Sequence, residues 1–201
     1  MHVPNHILVT GFGPFPGVDH NPTELLIDLI RENESHNATR HLVLPVSFGH
    51  VLSDLIPAVD AHSPKQLLHL GVASESNTIR VETQAYNHIQ ARVPDIDGRQ
   101  PRNARVTTQH PKAALLPGSP RAQSIVTNLS EHGLPAVSST DAGRYVCNAL
   151  FYMSLLKFGG CADVSFVHIP PLGTPYPSPA NRQVWDITSL SRALEIILKS
   201  L

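Results

Sequence analysis

Cysteine is scarce in this chain: two residues in 201, too few for a disulfide-stapled scaffold. Reach argues against a bond between that one pair. If residues 147–157 form a helix, the stretch rises roughly 15 Å, and Cys161 lies beyond it. Bridged Cα atoms lie within about 7 Å, so Cys147 is expected as a free thiol. An excess of either charge is also lacking. The 15 basic and 16 acidic side chains leave a formal charge of −1 and a pI near 6.9. That balance gives no reason to expect nucleic acid or an anionic membrane as partner.

Long apolar runs are missing as well. The longest, such as "ALFYM", fall far short of a membrane span. The opening "MHVPNHILVTGFG" has no basic stretch leading into a long apolar core, so no signal peptide is expected. The expectation is a soluble, cytoplasmic chain forming one domain over residues 1–201. There is no HExxH and no CxxC despite 12 histidines, so a metal site has no support. "TGFGPFPG" (10–17) lacks GxGxxG and the lysine and Ser/Thr of a P-loop, so it gives little support to a glycine cradle for phosphate. No repeat and no linker breaks the chain.

What is present alternates. "HILVTGFG" (6–13), "HLVLPV" (41–46), "KQLLHLGV" (65–72), "LPAVSS" (134–139) and "ADVSFVHIP" (162–170) read as strands, with one or two more short ones within 77–93. Helices are expected over 21–33, with Asn21 as cap and Pro22 at the first position, and over 49–62, interrupted or ended near Pro57. Others fall at 120–133, closed by Gly133, at 146–158 and at 186–201. Short apolar strands between helices predict α/β class, a single-domain α/β/α sandwich with a largely parallel central sheet. Ligands of such sheets sit beyond the carboxyl ends of the strands. The proline-rich, basic stretch 97–123 reads as a solvated surface loop, or as a flap over a site.

Cys147 stands one step inside the start of the 146–158 helix. Unpaired N–H groups and partial positive charge there favour a thiolate, although a lone cysteine commonly packs as a small hydrophobe. His168 in "FVHIPPL" lies at a carboxyl strand end, and the helix carrying Cys147 leads into that strand. Thiol and imidazole are therefore expected at one edge, as an activated nucleophile requires. Glu82 in "IRVETQAYN" is a lone acid in a strand-like segment, either an exposed position or the group that orients the imidazole. Phe12 and Phe15 follow the first strand and are placed to line an apolar pocket, or to join the core.

These stretches together resemble the pyroglutamyl peptidase I (pyrrolidone-carboxylate peptidase) family of cysteine peptidases. "VTGFGPF", "RVETQAYN", "ARVPDIDG", "SSTDAGRYVCN" and "FVHIPPLGTPY" keep the family's order and spacing over roughly residues 7 to 176, and the "DAGRYVC" form looks like that of eukaryotic members. The resemblance implies Cys147 as nucleophile, His168 as general base and acid, and Glu82 as its orienter. It implies removal of an N-terminal pyroglutamyl residue from peptides without a cofactor. Phe12 and Phe15 would flank the lactam, Tyr145 and Val146 would complete the pocket, and Arg92 would support the reacting carbonyl or the pocket. Self-association into a homo-oligomer is left open. Two departures stand out: "VASESNTI" (72–79) replaces a glycine-rich stretch, and 99–121 matches poorly. Arg144 would lend positive potential to the thiolate or form a surface ion pair. The rival readings are another thiol amidohydrolase on this scaffold and a non-catalytic lactam-binding protein.

Overall fold

A computed structural model gives the fold and describes residues 7–15, 18–32, 39–177 and 183–201. In chain order the elements are β1 (Ile7–Phe12), α1 (Pro22–Glu32), β2 (Thr39–Leu44), α2 (Val51–His62), β3 (Gln66–Val72), β4 (Ile79–Glu82) and β5 (Gln84–Tyr86). They continue with β6 (Leu115–Pro117), α3 (Ala122–Glu131), β7 (Ala136–Ser139), α4 (Val146–Phe158), β8 (Asp163–Ile169) and α5 (Ile187–Ser200). The central sheet runs β2-β1-β3-β8-β4-β7, and β5 and β6 form a separate antiparallel pair.

Alternation along the strands decides which layer each side chain enters. Val9, Leu68, Leu70, Val81 and Val167 meet α1, α3 and α5 through Leu26, Ile27, Ile125, Leu129 and Leu194. Leu8, Leu67, Val164 and Phe166 meet α2 and α4 through Leu55, Leu150 and Phe151 on the opposite face. The sheet is therefore covered on both sides, as an α/β/α sandwich requires.

Strands β1, β2, β3 and β8 are parallel, β4 is antiparallel to β8, and β7 is parallel to β4. The reversal follows from chain length. Only residues 73–78 join β3 to β4, whereas a parallel crossover takes about a dozen residues or more. The chain hops over the end of β8 and must come back down the sheet. Arg80 thereby faces His168 in register, and Glu82 faces Phe166.

Three local expectations are corrected. Helix α2 runs through Pro57 without a break. Pro57 lies on the exposed side of the helix, where the carbonyl it leaves without an N–H partner can be solvated. Strand β2 ends at Leu44, before Pro45, and begins at Thr39. The 97–123 stretch is not a free loop: β6 pairs with β5, and the buried Asn87 side chain bonds the backbone of Thr107, His110 and Pro111. Elsewhere Asn21 caps α1 by accepting from the Thr23 N–H at 3.1 Å, and Gly133 follows α3 at φ 75°. Among the described residues no helix is long and apolar enough to cross a membrane.

His69 sits wholly inside, between Thr10 Oγ1 at 2.8 Å and Ser154 Oγ at 3.0 Å. Hydroxyls satisfy either tautomer but supply no charge, and burial pushes the imidazole pKa down to about 3. Between about 6.5 and about 3 the unfolded chain binds a proton at His69 that the folded chain refuses. Stability should then fall as pH drops through that window, by about 1.4 kcal/mol per pH unit from this group. Urea unfolding across that range should show a shallower pH slope, by about one proton, in His69→Gln. Equal slopes in the two proteins would contradict the neutral, buried assignment.

Candidate active site

The turn after β7 prepares the start of α4. The Asp141 carboxylate accepts from the Gly143 N–H at 3.0 Å and from Arg144 Nη1 at 2.5 Å. Gly143 has φ 79°, a left-handed conformation that glycine adopts without steric cost. The Arg144 guanidinium lies 3.9 Å over the Tyr86 ring, so this cation is engaged by Asp141 and an aromatic face. Tyr145 is the N-cap residue, in extended conformation, and no side chain caps the helix. The first-turn N–H groups consequently lack intrahelical acceptors, and Cys147 is the second residue of that turn.

Asn148 fixes the turn laterally. It is fully buried; its Oδ1 accepts from the Tyr86 N–H, and its Nδ2 donates to the Tyr86 and His88 carbonyls. Helix α4 is thus pinned to the segment that follows Glu82.

His168 points from β8 toward the α4 side of the sheet, as does Phe166 two residues before it. Its Nδ1 lies 2.9 Å from Glu82 Oε1, and Cys147 stands near the ring and acts on its protonation. Gly71, beside His168 in the β3–β8 register, marks the junction. A Cβ there would stand 2.9 Å from His168 Cδ2 and 3.1 Å from both His168 Nε2 and Cys147 Sγ. Burial by itself lowers the His168 pKa. The hydrogen bonds and negative charges of Cys147 and Glu82 outweigh it and raise the value to about 9.

The structure therefore gathers Cys147, His168 and Glu82 at one place, with His168 hydrogen-bonded to Glu82. Phe12 and Val146 are buried in the adjoining apolar cluster, with Phe15, Phe48 and Tyr145 packed against it. Tyr145 stands edge-on to Phe48 at 5.3 Å and donates its hydroxyl to the Pro94 carbonyl at 2.9 Å. Burial, then the charges of Asp95 and Cys147, push the Tyr145 pKa up to about 12, so that proton stays in place. Arg92 is different: it is exposed, and only its backbone carbonyl is bonded, to Gln100 Nε2. It reaches neither thiol nor imidazole by hydrogen bond. In the 72–79 stretch a tight turn closes from the Ser76 N–H to the Ala73 carbonyl.

Sequence reasoning missed Phe48, Gly71, Arg80 and Asn148. Phe48 carried a usable signal, since it follows β2 as Phe15 follows β1; Phe12 itself is the last residue of β1. Asn148 carried one too, as a lone amide in an apolar helix.

A thiol at an open helix start, with an imidazole held by a buried carboxylate, suits acyl transfer through a covalent intermediate. Fold and site together are those of an α/β cysteine hydrolase. Residues 5–195 match the family described as Pyroglutamyl peptidase. The pyrrolidone-carboxylate peptidase of Escherichia fergusonii is 35% identical over 195 residues, covering 94% of this chain and 89% of its own. That of Pyrococcus furiosus is 31% identical, covering 97% and 99%. The crystal structure of pyrrolidone carboxyl peptidase from Thermus thermophilus superposes with a TM-score of 0.82 at 31% identity, covering 97% of this chain and all of that one. This chain belongs to the pyroglutamyl peptidase family.

Gly71 offers a test of the packing. Gly71→Ala should fold but push imidazole and thiol apart, lowering the rate of Cys147 alkylation by iodoacetamide at neutral pH by roughly 10-fold or more. A wild-type alkylation rate would show that the junction tolerates a methyl group.

Proposed function

We propose that this chain is a cytoplasmic cysteine peptidase that removes the N-terminal pyroglutamyl residue from peptides. The observation that carries the reading is the Cys147–His168–Glu82 chain, built around Gly71 in a member of this family. His168 rests as imidazolium at neutral pH, and Cys147 reacts as the thiolate. The thiolate attacks the pyroglutamyl carbonyl carbon, and the oxyanion forms beside the open N–H groups of the first turn of α4. Collapse of that intermediate breaks the C–N bond, and the departing amine takes the proton from His168. His168 then removes a proton from water, the hydroxide attacks the thioester, and pyroglutamate leaves. The thiolate and imidazolium are restored. Glu82 holds the ring through Nδ1 and balances its charge throughout.

Pocket chemistry supports a neutral lactam. Phe15, Phe48 and Tyr145 offer partly exposed aromatic surface, backed by the buried Phe12 and Val146. Asp95 is the acid near Tyr145, but its oxygens already accept from the N–H groups of Phe48, Asp97 and Arg99. Both oxygens are thus engaged by backbone, in a side chain that is itself buried. Arg92, exposed on the strand of chain beside Tyr145, is assigned to the rim, where the following peptide leaves the pocket.

Opening the lactam to glutamine, or replacing it with proline, introduces a protonated amine. Burying it unpaired costs several kcal/mol, so prolyl- and glutaminyl-arylamides should turn over more slowly by orders of magnitude than the pyroglutamyl compound. Comparable cleavage of the prolyl substrate would refute the apolar pocket. Cys147→Ala should abolish hydrolysis while Cys161→Ala, altered at an exposed thiol, keeps it; equal loss in both would remove Cys147 as nucleophile.

The pH dependence has a definite sign. The imidazolium that protonates the leaving amine persists below about 9, so kcat/KM should decline as pH rises through that value. Glu82→Gln removes a charge that stabilises the imidazolium and should move this decline to lower pH, with kcat reduced by about 10²-fold or more. A decline at unchanged pH in that variant would exclude Glu82 from the relay.

A further inference from the structure

We propose that Arg80 is a positioning residue for this reaction: its guanidinium steers the Glu82 carboxylate onto His168, ties it to the turn that delivers Cys147, and limits how firmly the imidazolium keeps its proton. The inference rests on the peptidase reading above and adds to it a residue outside the thiol–imidazole–carboxylate chain.

Register places the groups. Arg80 is directly opposite His168 across β4 and β8, and residues opposed in an antiparallel pair project from the same face. Glu82, two residues on, shares that face. Arg80 Nε approaches Glu82 Oε1 at 3.4 Å, the same oxygen that meets His168 Nδ1 at 2.9 Å. The second oxygen, Oε2, is buried and has no hydrogen-bond partner among the described residues. Imidazole and guanidinium are thus the two side chains that hold this carboxylate, both at one oxygen.

The other end of the guanidinium faces the nucleophile's turn. Arg80 Nη2 donates to Ser139 Oγ at 2.6 Å and to the Asp141 carbonyl at 3.1 Å. Ser139 Oγ also accepts from the Asp141 N–H at 3.2 Å. One side chain therefore joins the acid of the relay to the segment that ends in Cys147. A third of the Arg80 side chain is exposed while that of Glu82 is wholly covered, so the cation acts on the carboxylate from the boundary with water.

The charged groups around the imidazole come from few elements: Arg80 and Glu82 from β4 and Cys147 from α4. On β3 the facing residue is Gly71. Asp141, after β7, is occupied by Arg144 and the Gly143 N–H. With Arg80 removed, Glu82 serves the imidazolium alone and a repelling cation is gone. Both changes raise the pH at which His168 releases its proton. An arginine that merely held the β4–β7 edge would affect folding and leave that pH unmoved.

The test uses Arg80→Met and Arg80→Lys, each in a Cys161→Ser background so that Cys147 is the one thiol. Two profiles are measured against pH: iodoacetamide alkylation of Cys147, and kcat and KM for a pyroglutamyl-arylamide. In Arg80→Met the imidazole limb of both profiles should move up by about half a unit or more, with kcat down roughly 10-fold and KM unchanged. Lysine keeps the charge but cannot span Glu82 and Ser139 together, so Arg80→Lys should retain the wild-type limb and lose part of kcat. A wild-type limb in Arg80→Met, or a limb in Arg80→Lys displaced as far as in Arg80→Met, overturns the proposal. Should Arg80→Met not fold, full kcat in Arg80→Lys overturns the positioning role. If the parent protein hydrolyses no pyroglutamyl substrate, the functional reading fails, while the alkylation profiles still decide what Arg80 does.

Discussion

Burying His168 as an imidazolium carries a desolvation cost of several kcal/mol, and burial does pull its pKa down before its neighbours act. The hydrogen bond from Nδ1 to Glu82, with Cys147 on the other side of the ring, reverses that pull. Thiol, imidazole and carboxylate are thus brought together around one buried ring. Losing either partner of such a pair leaves the other uncompensated, typically at about 3–5 kcal/mol. His69 shows the opposite outcome from the same residue type. Its ring is equally enclosed, but hydroxyls satisfy it instead of anions, and it stays neutral. The distinction between a structural and a reacting histidine lies wholly in the neighbours.

Sheet topology supplies those neighbours. A short link over residues 73–78 forces β4 to run against β8, which brings Arg80 and Glu82 to the face His168 uses. Helix α4 lies over that face and presents its uncapped first turn there. Gly71 keeps β3 low enough for imidazole and thiol to meet. Asn148 and Asn87, both buried amides, lock the surrounding irregular segments to α4 and to the 107–111 stretch. Irregular backbone can be buried here because side-chain amides satisfy it.

Much of this was legible in the chain because it depends on local pattern. Apolar alternation placed the strands, Asn21 and Gly133 marked helix ends, and the position of Cys147 at a helix start followed from the polar-to-apolar switch at 138–146. What escaped depends on contacts distant in sequence. Arg80 reads as an ordinary exposed strand position until the register sets it opposite His168. Gly71 has no unusual backbone to betray it; only the crowding of two side chains beyond its Cα gives it meaning. Strand β6 is three residues long, too short to show periodicity, and forms because β5 offers it an edge. Pro57 misled because its helix-breaking tendency is real, but the affected turn faces water.

The central claim is that the half-buried thiol, not the exposed one, is the reacting group, selected by the pocket and activated by His168. A pyroglutamyl chloromethyl ketone carries the lactam into the pocket and alkylates whatever nucleophile stands beside it. Intact mass followed by peptide mapping should reveal a single adduct on Cys147, with the more exposed Cys161 unmodified. Labelling of Cys161 at an equal or faster rate would mean that exposure, rather than the site described, governs reactivity, and the account would fail.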